Sequence, residues 1–189
     1  YIKQYIQFHP GPVVTFAWQG GEPTLLGLDF FRRAVELQKQ YLPKGWRGDN
    51  ALQTNGTLLD EEWCTFLREN NFLVGLSLDG PPELHDRFRR DKGGGPTSSR
   101  VLKAMELMNE HRVEYNILCC VNSANAEHPL EVYEFFKENG ARFLQFIPIV
   151  ENLGDGTVSE RTVSGDAYGS FLIEVFNRWV TEDLGSVFI

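Results

Sequence analysis

Cysteine is scarce: three of 189 residues, two of them adjacent as Cys119 and Cys120. Three thiols cannot all pair, which argues against a disulfide framework and leads us to expect a reducing, cytoplasmic setting. No Cys-x2-Cys or His-x3-His spacing offers a metal site, and His9, His85, His111 and His128 are scattered. Basic residues are also few, with 18 Lys and Arg against 26 Asp and Glu and a formal net charge of -8. Phosphate binding needs clustered cations, so no nucleic-acid partner is expected. One short basic cluster stands out, Arg87, Arg89, Arg90 and Lys92, and its default reading is a solvated surface. No apolar run approaches the roughly eighteen residues of a membrane span, and no charged-then-apolar leader opens the chain, so no membrane partner is expected either. Tyr1 stands inside an amphipathic stretch, from which we expect an internal piece of a longer protein.

What is present is core-forming material. A 42% hydrophobic, 13% aromatic composition is far from that of a disordered chain and suits one domain over residues 1–189. Strand-like and helix-like segments alternate at intervals of roughly thirty residues, as βα units around a parallel sheet do. Strands are expected near Val13–Gln19, Ala51–Asn55, Leu73–Asp79, Val113–Val121 and Arg142–Ile147. The first long helix is expected to bury Phe30, Ala34, Leu37 and Tyr41; Asp60 should cap the next, and Val101, Met105 and Met108 should share a face of the third. Further helices are expected over Leu130–Asn139 and Ala167–Glu182, and Val187–Ile189 reads as the start of another strand. The glycine stretch Gly93–Gly95 reads as a mobile loop.

Side chains alternate between the faces of a strand, so polarity can be assigned to a face. Gln19, Gln53 with Asn55, Ser77 with Asp79, Asn116 and Gln145 each fall on one face, towards the C-terminal strand ends. A doubly wound sheet has helices on both sides and reads apolar on both. A polar inner face instead points to an α/β barrel with its working groups at the C-terminal mouth. Roughly thirty residues per unit allow about six units, too few for a closed eightfold barrel of about 250 residues, so a partial barrel is expected.

The strand ends carry the candidate chemistry. Trp18-Gln19-Gly20-Gly21-Glu22-Pro23 sets two glycines, which free the backbone to bend and let a ligand approach, before a carboxylate suited to a cationic amine. It is not a phosphate loop, lacking Gly-x-Gly-x-x-Gly spacing and a Walker lysine. Gln53-Thr54-Asn55-Gly56-Thr57 and Ser77-Leu78-Asp79-Gly80-Pro81 supply amides, hydroxyls and a carboxylate, groups that hydrogen-bond sugar or amino-acid moieties but also build ordinary turns. A guanidinium from His85-Asp86-Arg87-Phe88-Arg89 could clamp a carboxylate in bidentate fashion.

These motifs, together with Tyr115-Asn116-Ile117-Leu118 and Phe143-Leu144-Gln145-Phe146, resemble in content and order the radical S-adenosylmethionine enzymes, and more narrowly the anaerobic sulfatase-maturating enzymes. The resemblance implies a partial (β/α)6 TIM-like barrel, of which about five βα units are present here. It implies that Gly20, Gly21 and Glu22 hold the methionyl amino group of S-adenosylmethionine, that Ser77 and Asp79 contact its ribose and methionine parts, that Arg89 meets its carboxylate, and that Gln53 and Asn55 also belong to the cofactor site. Leu144 and Gln145 would lie beside the adenine, with Gln19 and Asn116 facing the peptide substrate. It further implies that a 4Fe-4S cluster cleaves the cofactor reductively, and that the resulting 5′-deoxyadenosyl radical oxidises a cysteine or serine of an unfolded sulfatase peptide to formylglycine. The electron donor would be a flavodoxin or ferredoxin.

The sequence departs from the family where iron is concerned. The Cys-x3-Cys-x2-Cys spacing that holds the cluster is missing, so no metal ligand is assigned, and cluster ligands and the catalytic acid-base are expected outside residues 1–189. Other readings stay open. These are a different peptide-modifying radical enzyme that forms thioether or carbon-carbon crosslinks, a metal-free βα-barrel lyase or hydrolase using Asp79 and Glu22 as acid and base, and a binding module without catalysis.

Overall fold

The computed structural model describes residues 1–189 and contains five strands and seven α-helices. A short helix α1 (Ile2–Gln7) precedes β1 (Val13–Trp18), and α2 (Leu28–Tyr41) leads to β2 (Arg47–Thr54). Next come α3 (Glu61–Glu69), β3 (Phe72–Ser77), α4 (Pro82–Phe88), α5 (Ser98–His111) and β4 (Glu114–Val121). The chain continues through α6 (Pro129–Glu138) and β5 (Leu144–Pro148) to α7 (Gly165–Glu182).

All five strands are parallel and lie in sequence order, β1-β2-β3-β4-β5. Crossovers between parallel strands are right-handed, so an order that never reverses puts every crossover helix on the same side of the sheet. The other side is left without helices and curls into the concave wall of a half-barrel. Burial follows: on β3, Val74 and Leu76 are fully buried toward the helices, while Leu73 on the concave side is 43% exposed. The main core lies between sheet and helices, and a smaller cluster of Ile6, Val14 and Phe16 sits under α1.

Local chemistry accounts for most elements. Asp60 caps α3, its Oδ1 accepting from Trp63 N at 2.9 Å, and Glu61 and Glu62 occupy the dipole-favoured first turn. After α6, Gly140 at φ +85 lets the chain reverse while Ala141 N–H reaches back to the carbonyl of Phe136. Phe188 bridges Phe143 in parallel beside β5, where a further strand start was expected.

Several elements differ from the sequence expectation. The buried stripe of α2 is Phe31, Ala34, Val35 and Gln38, whereas Phe30 is 42% exposed; the helix is rotated because Gln38 pairs with Asn50 beneath it. The β2 strand starts at Arg47 rather than Ala51, since pairing of Val13 with Arg47 extends the ladder through residues of low strand propensity. Helix α4 falls in a segment too short to show periodicity. The glycine stretch read as mobile is tied down, with Asp91 Oδ1 accepting from Gly93 N and Gly95 N and Arg90 Nη1 donating to Gly94 O.

Candidate functional site

At the exit of β1, Gly20 (φ +111) and Gly21 (φ +55) adopt left-handed backbone that side chains disfavour, and no atom lies within 4 Å of where either Cβ would stand. The bend is thus open to a ligand. Glu22 then caps a single 3₁₀ turn, Pro23–Leu26. Its Oε1 accepts from Thr24 N at 3.1 Å, Thr24 Oγ1 at 2.7 Å and Thr54 Oγ1 at 2.7 Å, and its Oε2 accepts from Asn55 N at 2.7 Å. This carboxylate ties the ends of β1 and β2 together.

A second node joins β3 to β4. Asp79 is 1% exposed and receives Arg89 in bidentate fashion, Nε to Oδ2 at 2.5 Å and Nη2 to Oδ1 at 3.0 Å. Oδ1 also accepts Cys120 N at 2.9 Å, and the Asp79 carbonyl accepts Asn125 Nδ2 at 2.9 Å. Burial opposes the charge on Arg89, but Asp79 beside it prevails and the guanidinium pKa rises. Arg89 Nη2 also reaches Cys120 Sγ at 3.4 Å, whereas Nη1 makes no hydrogen bond within the chain. Nη1 is therefore the part of the fork left for a ligand.

The carboxamides divide by face. On the helix side, Asn50 and Gln38 form a reciprocal pair at 2.9 Å, and Trp18 Nε1 adds a third bond to Asn50. On the concave side, Gln19, Gln53, Asn116 and Gln145 make no side-chain hydrogen bonds within the chain. The register sets Gly75 between Gln53 and Asn116, and Leu118 between Ser77 and Gln145. A Cβ at Gly75 would stand 2.8 Å from Leu118 Cδ1, so glycine leaves the floor low and lets Leu118 lie across it. Gln19, Gln53, Gly75, Asn116 and Leu118 line a groove of about 170 Å³. At the mouth a larger cleft of about 810 Å³, within the usual range for small-molecule sites, includes Glu22, Asn55, Arg89, Phe88 and Arg161 in its walls.

The structure thus brings Glu22, Asn55 and Arg89 to one cleft and Gln19, Gln53 and Asn116 to the adjoining groove, with Ser77 and Asp79 in buried positions at the end of β3. Leu144 is separated from Gln145: it is 2% exposed and packs in the helix-side core, because successive strand residues face opposite ways. Only its main chain could meet a ligand on the concave face. Sequence reasoning quoted His85 within the motif that ends at Arg89 but gave it no role, and missed Thr97 and Asn125; all three stand behind Asp79 and Arg89. The one available signal was the Asn122-x-x-Asn125 turn chemistry after β4, in which each side-chain oxygen accepts main-chain amides of the turn.

The pocket suits S-adenosylmethionine in its donor set: an open glycine bend, a free guanidinium edge and uncommitted amides. It does not suit an iron–sulfur cluster. Cys64 and Cys119 are fully buried, burial pushes the Cys64 thiol up to about 11 and raises both other thiols, and no three metal-ligating side chains converge.

A serine-type anaerobic sulfatase-maturating enzyme of Bacteroides thetaiotaomicron is 43% identical over 204 residues, covering 100% of this chain and 49% of the relative. A cysteine-type anaerobic sulfatase-maturating enzyme of Clostridium perfringens is 47% identical over 174 residues, covering 90% of this chain and 46% of the relative. The chain therefore spans about half the length of these relatives. Among solved structures, native anSMEcpe with bound AdoMet and Kp18Cys peptide superposes with a TM-score of 0.89 at 43% identity, over 100% of this chain and 52% of that one. Streptococcus suis SuiB, at 18% identity and a TM-score of 0.69, shares the fold alone. The model of the radical SAM superfamily matches residues 1–136, and the chain belongs to that superfamily.

Proposed function

We propose that this chain is the barrel of an anaerobic sulfatase-maturating enzyme, binding S-adenosylmethionine at its mouth and an unfolded sulfatase peptide along its concave wall, and that the whole protein oxidises a cysteine or serine of that peptide to formylglycine. The observation that carries this reading is the junction of a cleft holding one free guanidinium edge with a strand floor whose carboxamides are all unpaired. S-adenosylmethionine supplies, when bound and reduced by one electron, the hydrogen-abstracting chemistry.

The chain's residues bind and orient. Arg89 offers Nη1 to the carboxylate of the methionyl part, while Gly20, Gly21 and Glu22 offer acceptors to its amino group. Asn55, Gln53, Ser77 and Gln145 provide neutral partners for the ribose and adenine. Each free carboxamide carries both a donor and an acceptor, so Gln19 and Asn116 match the alternating N–H and C=O of an extended peptide whatever its side chains. A metal-free hydrolase or lyase using Asp79 and Glu22 is disfavoured, because internal hydrogen bonds engage both carboxylates. In this reading, chain outside residues 1–189 provides the cluster ligands and the catalytic acid-base, and a flavodoxin or ferredoxin in the cytoplasm is the electron donor. The three unpaired cysteines accord with that compartment.

The test uses the full-length protein carrying this chain, anaerobically reconstituted and given S-adenosylmethionine, reductant and sulfatase peptides with cysteine or serine at the target position. Formylglycine in either peptide by mass spectrometry is the expected result. Cofactor consumption with a crosslinked peptide instead, or no turnover of either peptide, would overturn the assignment.

A further inference from the structure

His85 lies in α4, 1% exposed, with its ring nitrogens on the main-chain N–H of Asp79 and on Thr97, beside the Asp79–Arg89 pair. Its Nδ1 accepts the main-chain N–H of Asp79 at 3.2 Å. Its Nε2 lies 3.0 Å from Thr97 Oγ1, and that hydroxyl donates to the carbonyl of Arg89 at 2.9 Å. These partners determine the protonation state. An amide N–H can only donate, so Nδ1 is bare; a carbonyl can only accept, so the Thr97 proton points to Arg89 and Nε2 must carry the hydrogen. One neutral tautomer satisfies both ends.

The ring therefore connects the main chain of Asp79 to that of Arg89 by way of the Thr97 hydroxyl. Asp79 in turn holds the Arg89 side chain by Nε and Nη2, leaving Nη1 without a partner in the chain at a residue that lines the cleft. Asp86, the neighbour of His85, completes the brace: its Oδ1 accepts from Thr97 N at 2.8 Å and Ser98 N at 2.9 Å. We propose that His85, as the neutral Nε2–H tautomer, is a positioning residue that aims Arg89 at the carboxylate of the bound cofactor; this rests on the S-adenosylmethionine reading above. The charged groups facing the ring are Asp79 from the end of β3, Asp86 on α4 and Arg89 just beyond it. Burial drives the imidazole pKa down to about 4, Asp79 and Asp86 oppose this and Arg89 adds to it, so the ring is neutral under ordinary conditions.

A brace that acts through Arg89 should affect only ligands with a carboxylate. The experiment measures binding of S-adenosylhomocysteine, which has the amino-acid moiety, and of methylthioadenosine, which lacks it, to full-length wild-type, His85→Asn, His85→Gln, Arg89→Ala and the double variant His85→Asn with Arg89→Ala by calorimetry. His85→Asn retains an acceptor for Asp79 N–H and His85→Gln a donor for Thr97, so each keeps one end of the brace. We expect each to weaken S-adenosylhomocysteine roughly tenfold and methylthioadenosine less than about twofold, and the His85 effect to vanish in the Arg89→Ala background. Equal loss of both ligands, or loss of neither, overturns the positioning role while leaving the cofactor reading intact. Failure of wild-type protein to bind either ligand overturns the cofactor reading itself. Because substitution of a buried ring can impair folding, nitrogen-15 spectra of ring-labelled wild-type protein provide a second test. Protonated Nε2 with bare Nδ1 at neutral pH is expected, and the opposite tautomer or an imidazolium overturns the proposal.

Discussion

Replacing Asp79 with Asn tests the node on which the cleft depends. The change preserves volume but removes the charge that faces Arg89, and it turns an amide toward a group that can only donate. Asp79 is 2% exposed at its side chain and Arg89 is 23% exposed. Removing one member of a fully buried pair costs about 3–5 kcal/mol; partial access of water to the guanidinium lowers the expectation here to about 2–4 kcal/mol. That is a large part of the roughly 5–15 kcal/mol by which a domain is stable. The partner substitution Arg89→Met should be similarly harmful alone, because it leaves the carboxylate buried with only Cys120 N–H as a donor to it. The double variant removes both charges, so it should be less destabilised than the sum of the singles by at least about 1 kcal/mol. Urea denaturation followed by tryptophan fluorescence measures all four proteins, with Trp63 as a buried reporter. A loss below about 1 kcal/mol for Asp79→Asn, or strict additivity in the double variant, would refute the view of this ion pair as a desolvated, mutually dependent unit.

Two further outcomes are expected. His85 is held near a pKa of about 4, below the unfolded value near 6.5, so the unfolded chain binds the extra proton first and stability must fall as pH drops between those values. Between pH 6.5 and 5 this amounts to about 2 kcal/mol, and urea midpoints measured across that range should lose the slope in His85→Asn. The two faces of the sheet should also respond differently: Asn50→Ala breaks three internal hydrogen bonds and should cost about 2–3 kcal/mol. In contrast, Asn116→Ala should shift stability by less than about 0.5 kcal/mol while weakening peptide binding in a fluorescence-anisotropy titration.

Much of the architecture was legible in the chain because it depends on local periodicity. Polar side chains collect on one face of the strands towards their C-terminal ends, which points to a barrel, and the number of βα units limits it to a partial one; the unbroken strand order agrees. Asp60 as a cap and Gly140 as a helix stop are equally local, since each acts on amides and carbonyls within a few residues. Alternation also separates Leu144 from Gln145, a distinction that motif resemblance alone passes over.

Hydrogen-bond partners distant in sequence were not legible. Gln38 and Asn116 are both carboxamides on regular elements, yet one is fully paired within the fold and the other is free for a ligand. Likewise nothing local joins Asp79 to Arg89, or both to His85 and Thr97. A sequence pattern determines which face a side chain takes, because that depends on backbone geometry over a few residues. Which group it meets there depends on helices and loops arriving from distant parts of the chain, and that only the tertiary structure decides.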